Sequence, residues 1–427
     1  MSAQTQILFT GGIFLLTYAM IMLEKIHRTV VALAGAMIVI LAGIVSQEQA
    51  VESVDFNTIG LLTGMMIIVG VTRRTGVFEF MAVFAAKVAK GDPAKIMISL
   101  ATITAVSSAL LDNVTTVLLI VPVTFVIAKQ LDVNPIPYLI AEVVASNIGG
   151  TATLIGDPPN IMIGSATGLG FMDFVLALAP VIVVIHIAAM IWLKVLYRKD
   201  MVTREELKRN IMALNEKDEI KDEKLLKKCL AAIAITVLGF VLHQYLHLES
   251  GTVALAGATL LLLITGDEPE HALSAVEWPV IFFFVGLFII VGALEHVGII
   301  EAIARKSLEV TGGAILPTGL LILWLSAILS AFIDNIPFVA TMIPLIQEMG
   351  RLGGIANLEP LWWSLSLGAC LGGNGTLIGA SANVVVAGMA EKRGAYLTFI
   401  HFTKVAFPMM IMSIIISTGY LVLFYLR

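Results

Sequence analysis

Two stretches of polar and helix-breaking residues interrupt the apolar sequence of this chain, and they constrain its fold more than any other feature. The first runs from Gly149 to Asn160 and the second from Gly372 to Asn383; both contain a glycine pair, Thr-Leu-Ile-Gly and a closing Asn. Each lies inside an apolar run long enough to cross a bilayer. Irregular backbone at membrane depth is tolerated only where it is buried in protein or lines a cavity. Two such breaks at matching places in two halves are typical of a transporter's binding site.

Composition agrees with a membrane protein. The chain has 427 residues, of which 58% are hydrophobic and 13% charged, whereas soluble domains carry about 25% charged residues. The first apolar run has no basic leader and no small-residue cleavage site, so we interpret it as a retained helix rather than a signal peptide. Cys229 and Cys370 are the only cysteines, which excludes a disulfide framework and a thiol metal cluster. We therefore predict an all-α polytopic membrane protein without cofactors.

The segments of the first half follow from apolar run length and from the positions of helix breakers. An amphipathic stretch is predicted to lie along the membrane surface, and a long apolar block with Leu111-Asp112-Asn113 near its middle is predicted to form a re-entrant hairpin. A charge-dense linker joins the two halves. In chain order, we predict helices at 7–23, 29–46 and 58–72, the surface stretch 76–91, the hairpin block 95–128, the broken helix 134–163, a helix at 171–196 and the linker 198–228.

The second half repeats the first. Val31–Ala36 reappears unchanged at Val253–Ala258, 222 positions later. At the same offset, glycines, prolines and polar pairs also match, which chance similarity between apolar helices does not explain. The matched positions include Gly64 with Gly286, Ser108 with Ser330, Asp112 with Asp334, Asn113 with Asn335 and Pro122 with Pro344. We predict two repeats, 1–197 and 229–427, separated by the linker 198–228.

Basic residues predict the topology. If the blocks around Asp112 and Asp334 are re-entrant hairpins, each half crosses the membrane five times and the halves are inverted relative to each other. With the amino terminus periplasmic, 22 of the 26 lysines and arginines face the cytoplasm or lie at cytoplasmic helix ends, as the positive-inside rule requires. The linker 198–228 is then cytoplasmic, in an inner membrane. Sequence 298–313, like 76–91, is interpreted as a surface arm.

Four carboxylates fall in segments assigned to the membrane: Asp112, Glu142, Asp157 and Asp334. A charge at the bilayer centre costs at least about 2.5–3.5 kcal/mol, so such groups usually line a polar path. We predict that these four acids couple transport to protons. The alternative for each Asp-Asn pair is a helix cap, because both residues favour turns and helix N-termini. Asp157 could equally cap a half-helix, and Glu142 could satisfy a neighbouring hydroxyl.

The remaining polar groups of the hairpin tips and breaks are amides, hydroxyls and glycine backbone, with no Arg or Lys among them. A di- or tricarboxylate normally needs cationic partners, so we expect a small neutral solute or a cation instead. The predicted solute-binding residues are Asn113, Thr115, Thr116, Asn147, Gly150, Thr151, Asn335, Gly373, Asn374, Gly375 and Thr376.

The duplicated Asp-Asn hairpins, Gly-Asp-Pro-Pro-Asn and Gly-Gly-Asn-Gly-Thr-Leu-Ile-Gly-Ala-Ser-Ala-Asn resemble the ion-transporter superfamily. Within it they look like the arsenical efflux permeases and the closely similar melanosomal P-protein group. The resemblance implies a scaffold, a mobile transport domain, and extrusion of arsenite or antimonite in exchange for protons. It also implies assistance by a cytosolic ATPase subunit in some members. We expect a monomer or a homodimer.

We therefore hypothesise a proton-coupled arsenite/antimonite exporter. At neutral pH arsenite is an uncharged trihydroxide, which suits amide and hydroxyl partners. The alternatives are a Na⁺/H⁺ antiporter, another small-anion or solute transporter of the superfamily, and a passive channel. No His-Glu-x-x-His pattern and no nucleophile–base set is visible, so we expect no enzymatic activity and no nucleic-acid partner.

Overall fold

The computed structural model describes residues 2–23 and 25–427. Within these residues every regular element is helical, as the composition predicts. The first half consists of α1 (Ala3–Leu23), α2 (Arg28–Leu41), α3 (Gln47–Glu52), α4 (Phe56–Arg73), α5 (Val77–Val88), α6 (Pro93–Ser108), α7 (Asn113–Leu131), α8 (Ile136–Gly150), α9 (Pro158–Thr167) and α10 (Phe171–Leu196).

The second half is built from similar elements after a short helical connection. The connection holds α11 (Glu205–Met212) and a 3₁₀ turn at Glu216–Glu219. There follow α12 (Glu223–Leu242), α13 (Ser250–Thr265), α14 (Pro269–Leu273), α15 (Trp278–His296), α16 (Ile299–Thr311), α17 (Ile315–Ser330), α18 (Asn335–Gly353), α19 (Glu359–Gly372), α20 (Ser381–Glu391) and α21 (Phe399–Phe424).

Helix starts recur at a fixed spacing in the two halves. The pairs α2 and α13, α4 and α15, α5 and α16, α6 and α17, and α7 and α18 each begin 222 residues apart. The pairs α8 and α9 with α19 and α20 begin 223 residues apart. The spacing found in the sequence therefore reappears as a spacing of helices.

Both predicted breaks are present. The backbone leaves the helix after Gly150 and after Gly372, and it resumes at Pro158 and Ser381. The hairpin blocks likewise divide into two helices at Asp112 and Asp334, which cap α7 and α18. The segments predicted to lie in the membrane are thus interrupted by irregular backbone at four places, two in each half.

Seven helices are long and apolar enough to cross a membrane, or eight if the bent pair α16–α17 is one span. The bend between α16 and α17 is 119°, which fits a surface arm leading into a hairpin. The half-helices α8, α9, α19 and α20 are individually too short for that test, because the break divides each span. Ten crossings with two hairpins remain a prediction.

Glycines let helices of the two halves approach closely. A Cβ atom at Gly64 of α4 would lie 2.5 Å from the carbonyl carbon of Ala254 in α13, and one at Gly286 of α15 would lie 2.7 Å from that of Ala32 in α2. The residues at the two crossings correspond at the 222-residue spacing, Gly64 with Gly286 and Ala32 with Ala254. Small residues at helix crossings are the usual way of packing helices in a membrane.

The linker 198–228 is less solvated than its charge suggests. Ile211 is fully buried, the Lys221 amide donates to the Thr75 carbonyl at 2.9 Å, and Lys87 pairs with Glu216. Helix α12 starts at Glu223, inside the predicted linker. The connection between the halves therefore packs against the arm α5 instead of extending freely.

Candidate functional site

The two hairpin tips use the same Asp-Asn pair differently. Asp112 accepts a hydrogen bond from the Thr115 amide at 2.9 Å, an ordinary N-cap of α7. The position matching Thr115 is Pro337, which has no amide hydrogen to donate. Asp334 instead accepts from the Ile336 amide at 3.1 Å, and its second oxygen is free to bind other groups. The capping alternative thus accounts for Asp112 better than for Asp334.

Matched asparagines hold the two breaks in shape. The Asn160 amide donates to two carbonyls of the first break at 3.0 and 2.9 Å, and Asn383 donates to two carbonyls of the second at 2.8 and 2.9 Å. Both side chains are fully buried. Because buried carbonyls need donors, these closing asparagines replace the missing helical hydrogen bonds. The acceptors are Thr151, Thr153, Gly373 and Thr376.

Matched threonines tie each break to its hairpin. The Thr153 hydroxyl donates to the Ala109 carbonyl, and the Thr376 hydroxyl donates to the Ala331 carbonyl. Glycines allow the approach: a Cβ atom at Gly149 would lie 2.1 Å from the Ala105 carbonyl oxygen. Each hairpin and its break therefore form one packed unit.

Asn147 joins the two units. Its amide nitrogen donates to Asn374 at 2.9 Å and to Asn383 at 3.0 Å, and its oxygen accepts from Asn113 at 3.1 Å. All four side chains are buried. Neutral amides of both halves thus meet in one network, as the matched breaks predict.

Asp157 is the acid beside this network, and it lines the same cavity as Asn113. It is fully buried, and one carboxylate oxygen accepts from the Asn335 amide at 3.3 Å. Its other oxygen has no hydrogen-bond partner within the residues described. Its matched position in the second half is Ala380, so only the first break carries an acid. A buried carboxylate with an unpaired oxygen is suited to binding a proton or a cation.

A basic residue also reaches the site, and the expectation that the site has none was wrong. Arg28, which lies between the predicted helices 7–23 and 29–46, donates to Asp334 at 2.9 Å and also contacts Ser381. It lines a narrow cavity together with Asp112, Asp157 and Glu277. Sequence alone did not separate Arg28 from the neighbouring surface charges, because the first turn of a helix and the loop before it look alike.

Glu142 lies apart from the other three acids. It is buried between α7 and α8, where the Thr124 hydroxyl donates to it, and it is not among the residues that line either cavity beside Asp334. The alternative that it satisfies a neighbouring hydroxyl accounts for one of its oxygens, whereas the other has no hydrogen-bond partner within the described residues.

Several predicted binding residues serve the backbone. The hydroxyls of Thr116 and Thr151 donate to carbonyls one turn earlier, at 2.9 and 2.7 Å, and Thr115 contributes its amide to the cap. Gly150, Gly373 and Gly375 lie in close contact with the neighbouring backbone or side chains. Asn160, Glu277 and Arg28 were missed as site residues; the closing asparagine of both breaks was the sequence signal for Asn160.

Comparison with known proteins supports transport. The sequence model of the citrate transporter family matches residues 18–368. An uncharacterized transporter of Mycobacterium tuberculosis is 46% identical over 97% of both chains. The P protein of Homo sapiens is 34% identical over 98% of this chain, which covers 60% of that longer protein.

The fold has a counterpart among solved structures. The YdaH transporter of Alcanivorax borkumensis, described as having an unusual topology, superposes with a TM-score of 0.58 over 87% of this chain and 86% of its own. The identity is 14%, so this similarity concerns the fold alone. The resemblance to the P-protein group is confirmed, whereas membership of the arsenical efflux subfamily is not.

Proposed function

Because the chain belongs to the citrate transporter family, whose members span membranes, we propose that it exchanges protons for a small uncharged solute, arsenite or antimonite. One observation carries the proposal: Asp157, whose second carboxylate oxygen is unpaired within the described residues, lines the same cavity as Asn113, a member of the buried amide network. The carboxylate supplies a proton site. The amides supply hydrogen-bond partners for a trihydroxide, which needs no counter-charge.

The charges around the cavity argue against free citrate as the solute. Asp112, Asp157, Glu277 and Asp334 face a single guanidinium, that of Arg28, in the adjoining cavities. A polycarboxylate would meet an excess of like charge, which disfavours binding. An uncharged solute or a cation meets no such repulsion, and the family's name does not fix the solute of this member.

A Na⁺/H⁺ antiporter is the second candidate. The same acids, with the amide oxygens beside them, offer the oxygen ligands that a hard cation prefers. Sodium binding would then compete directly with protons at Asp157. The two functions differ in which solute collapses a pH gradient.

The test uses everted inner-membrane vesicles or proteoliposomes that contain the full chain. Imposing a pH gradient should drive arsenite or antimonite uptake, and Asp157→Asn should reduce that uptake to the level of vesicles without the protein. Asp132→Asn is the matched control, because Asp132 is exposed and has a left-handed conformation that Asn also tolerates. It should transport as the wild type does.

Three results would reject or redirect the proposal. Uptake that persists in Asp157→Asn would refute the proton site. Collapse of the gradient by sodium, without any effect of arsenite, would favour the antiporter. Gradient-driven citrate uptake with no arsenite uptake would overturn the charge argument. Everted vesicles also test the proposed orientation: if 198–228 faces the cytoplasm, a protease added to the medium should cleave it.

A further inference from the structure

The guanidinium of Arg28 contacts three groups at once: a carboxylate, a hydroxyl and an aromatic ring. It is the first residue of α2, and its guanidinium donates to Asp334 Oδ2 at 2.9 Å. The same nitrogen contacts the Ser381 hydroxyl, which itself donates to Asp334 Oδ2 at 2.7 Å. Its charged end lies 5.1 Å from the centre of the Phe283 ring. The side chain thus connects α2 and α15 to the second hairpin and the second break.

The first half has no equivalent of this ion pair. At the 222-residue spacing, Arg28 corresponds to Ser250 and Asp334 corresponds to Asp112; at the 223-residue spacing of the breaks, Ser381 corresponds to Pro158. Asp112 forms no ion pair with any residue in the described part of the chain. The contact is therefore a property of these particular residues and not a consequence of the repeated fold.

We propose that Arg28 is a built-in counter-cation that occupies the cation position of Asp334 and clamps the second hairpin tip to α2 until it is displaced. This inference deepens the function proposed above and rests on it for the identity of the displacing ion. The displacing ion is a proton or a monovalent cation.

Competition follows from the chemistry of the two groups. A guanidinium does not release its proton in proteins, so its charge is permanent. Arg28 and Ser381 already fill Oδ2 of Asp334, and the Ile336 amide is bonded to Oδ1. A proton or a cation that binds the carboxylate neutralises the charge that holds the guanidinium, and so it weakens the Arg28 contact. The other titratable or charged groups around the two cavities are His27, Asp112, Asp157 and Glu277, and none of them contacts Asp334 in an ion pair.

The clamp closes one wall of a cavity of about 280 Å³ that is lined by Arg28, Asp334, Ser381 and Val384. Val384 is half-buried, and breaking the ion pair should let α20 move away from α2 and raise the exposure of its side chain. Accessibility at this position therefore reports the clamp without any transported solute.

The experiment measures the labelling rate of a Val384→Cys variant by a small maleimide in proteoliposomes. The native Cys229 and Cys370 are fully buried, so the unmodified chain gives the background. Added Arg28→Gln should raise the rate by about tenfold, the scale expected from losing one charge-assisted hydrogen bond. Asp334→Asn should raise it similarly, and the double variant should exceed neither single variant.

Two controls separate the clamp from general loosening. Arg74 pairs with Asp267 between the ends of α4 and α13, away from these cavities, so Arg74→Gln should leave the labelling rate unchanged. Arg28→Lys keeps the charge and should restore most of the protection. An unchanged rate in Arg28→Gln, or additive effects of Arg28→Gln and Asp334→Asn, would overturn the inference.

The labelling assay also separates this inference from the proposed function. If arsenite and antimonite are not transported but labelling depends on Arg28 and Asp334 together, the solute assignment fails and the clamp stands. If transport is confirmed but labelling ignores Arg28, the clamp fails and the proposed function stands.

Discussion

The two hairpin tips start from the same Asp-Asn sequence and end in different electrostatic states. Asp112 is engaged in capping its own helix, whereas Asp334 is bound to Arg28 and Ser381. The difference follows from single residues: Thr115 offers an amide hydrogen that Pro337 lacks, and Ser381 offers a hydroxyl where Pro158 has none. The two aspartates hold equivalent places at the starts of α7 and α18, but the residues around each one determine its hydrogen-bond and ion-pair partners.

The breaks differ less than the tips. Asn160 and Asn383 each satisfy two carbonyls of their own break, with nearly equal distances. Only the first break carries an acid, because Asp157 corresponds to Ala380. The repeated scaffold is therefore symmetric in its backbone support and asymmetric in its charge.

The largest expected effect tests the symmetric part. Asn160→Ala and Asn383→Ala each leave two buried carbonyls without a donor, at about 1–3 kcal/mol per orphaned group. Both variants should therefore melt well below the wild type in detergent, and by similar amounts. The measurement is thermal unfolding of the purified chain. A loss confined to one of the two would show that the breaks are not equivalent supports.

The next effect tests the tips. Asp334→Asn removes the partner of Arg28, and losing a hydrogen bond to a charged group costs about 1.5–3 kcal/mol; the pair is partly exposed, so the lower end applies. Asp112→Asn keeps an equally good cap and should change stability by less than about 0.5 kcal/mol. Thermal unfolding of the two variants side by side makes the measurement.

The transport assay then asks whether the charge of Asp112 is needed in addition to its cap. If Asp112→Asn is stable yet inactive, its charge matters and capping is not its whole role. If Asp112→Asn is fully active, the predicted proton coupling at Asp112 is wrong and the cap explains the residue.

Sequence predicted most of this fold because the information was local. Run length located α10 to the residue, and helix breakers located both breaks and both hairpin tips. The amide network was predictable as a set, since Asn113, Asn147 and Asn374 all lie at tips or breaks. The tie between Asn147 and Asn383 was not, because it joins residues 236 positions apart.

The charge of the site could not be predicted for a related reason. Arg28 lies near Lys25 in a short basic segment, and only the packing of α2 against α15 brings it to Asp334. The surroundings of Glu142 were equally unpredictable: an acid within an apolar helix suggested the transport path, and the structure places it beside Thr124, outside the residues that line the two cavities. The spacing of residues along the chain predicts neither the partner of Arg28 nor that of Glu142.

The smallest expected effect exchanges the residues that make the tips differ. Pro337→Thr gives Asp334 an amide donor at the third position of α18, so that capping competes with Arg28. A cap contributes about 1 kcal/mol, which is less than the contribution of the ion pair. Labelling at Val384→Cys should therefore rise only partway towards the Arg28→Gln level.

Thr115→Pro is the matched variant. Proline is tolerated in the first turn of a helix, and the change removes the cap from Asp112 without touching the Arg28 contact. It should lower stability by about 1 kcal/mol and leave Val384 labelling at the wild-type rate. Equal labelling in the two variants would show that Pro337 does not set the difference between the tips.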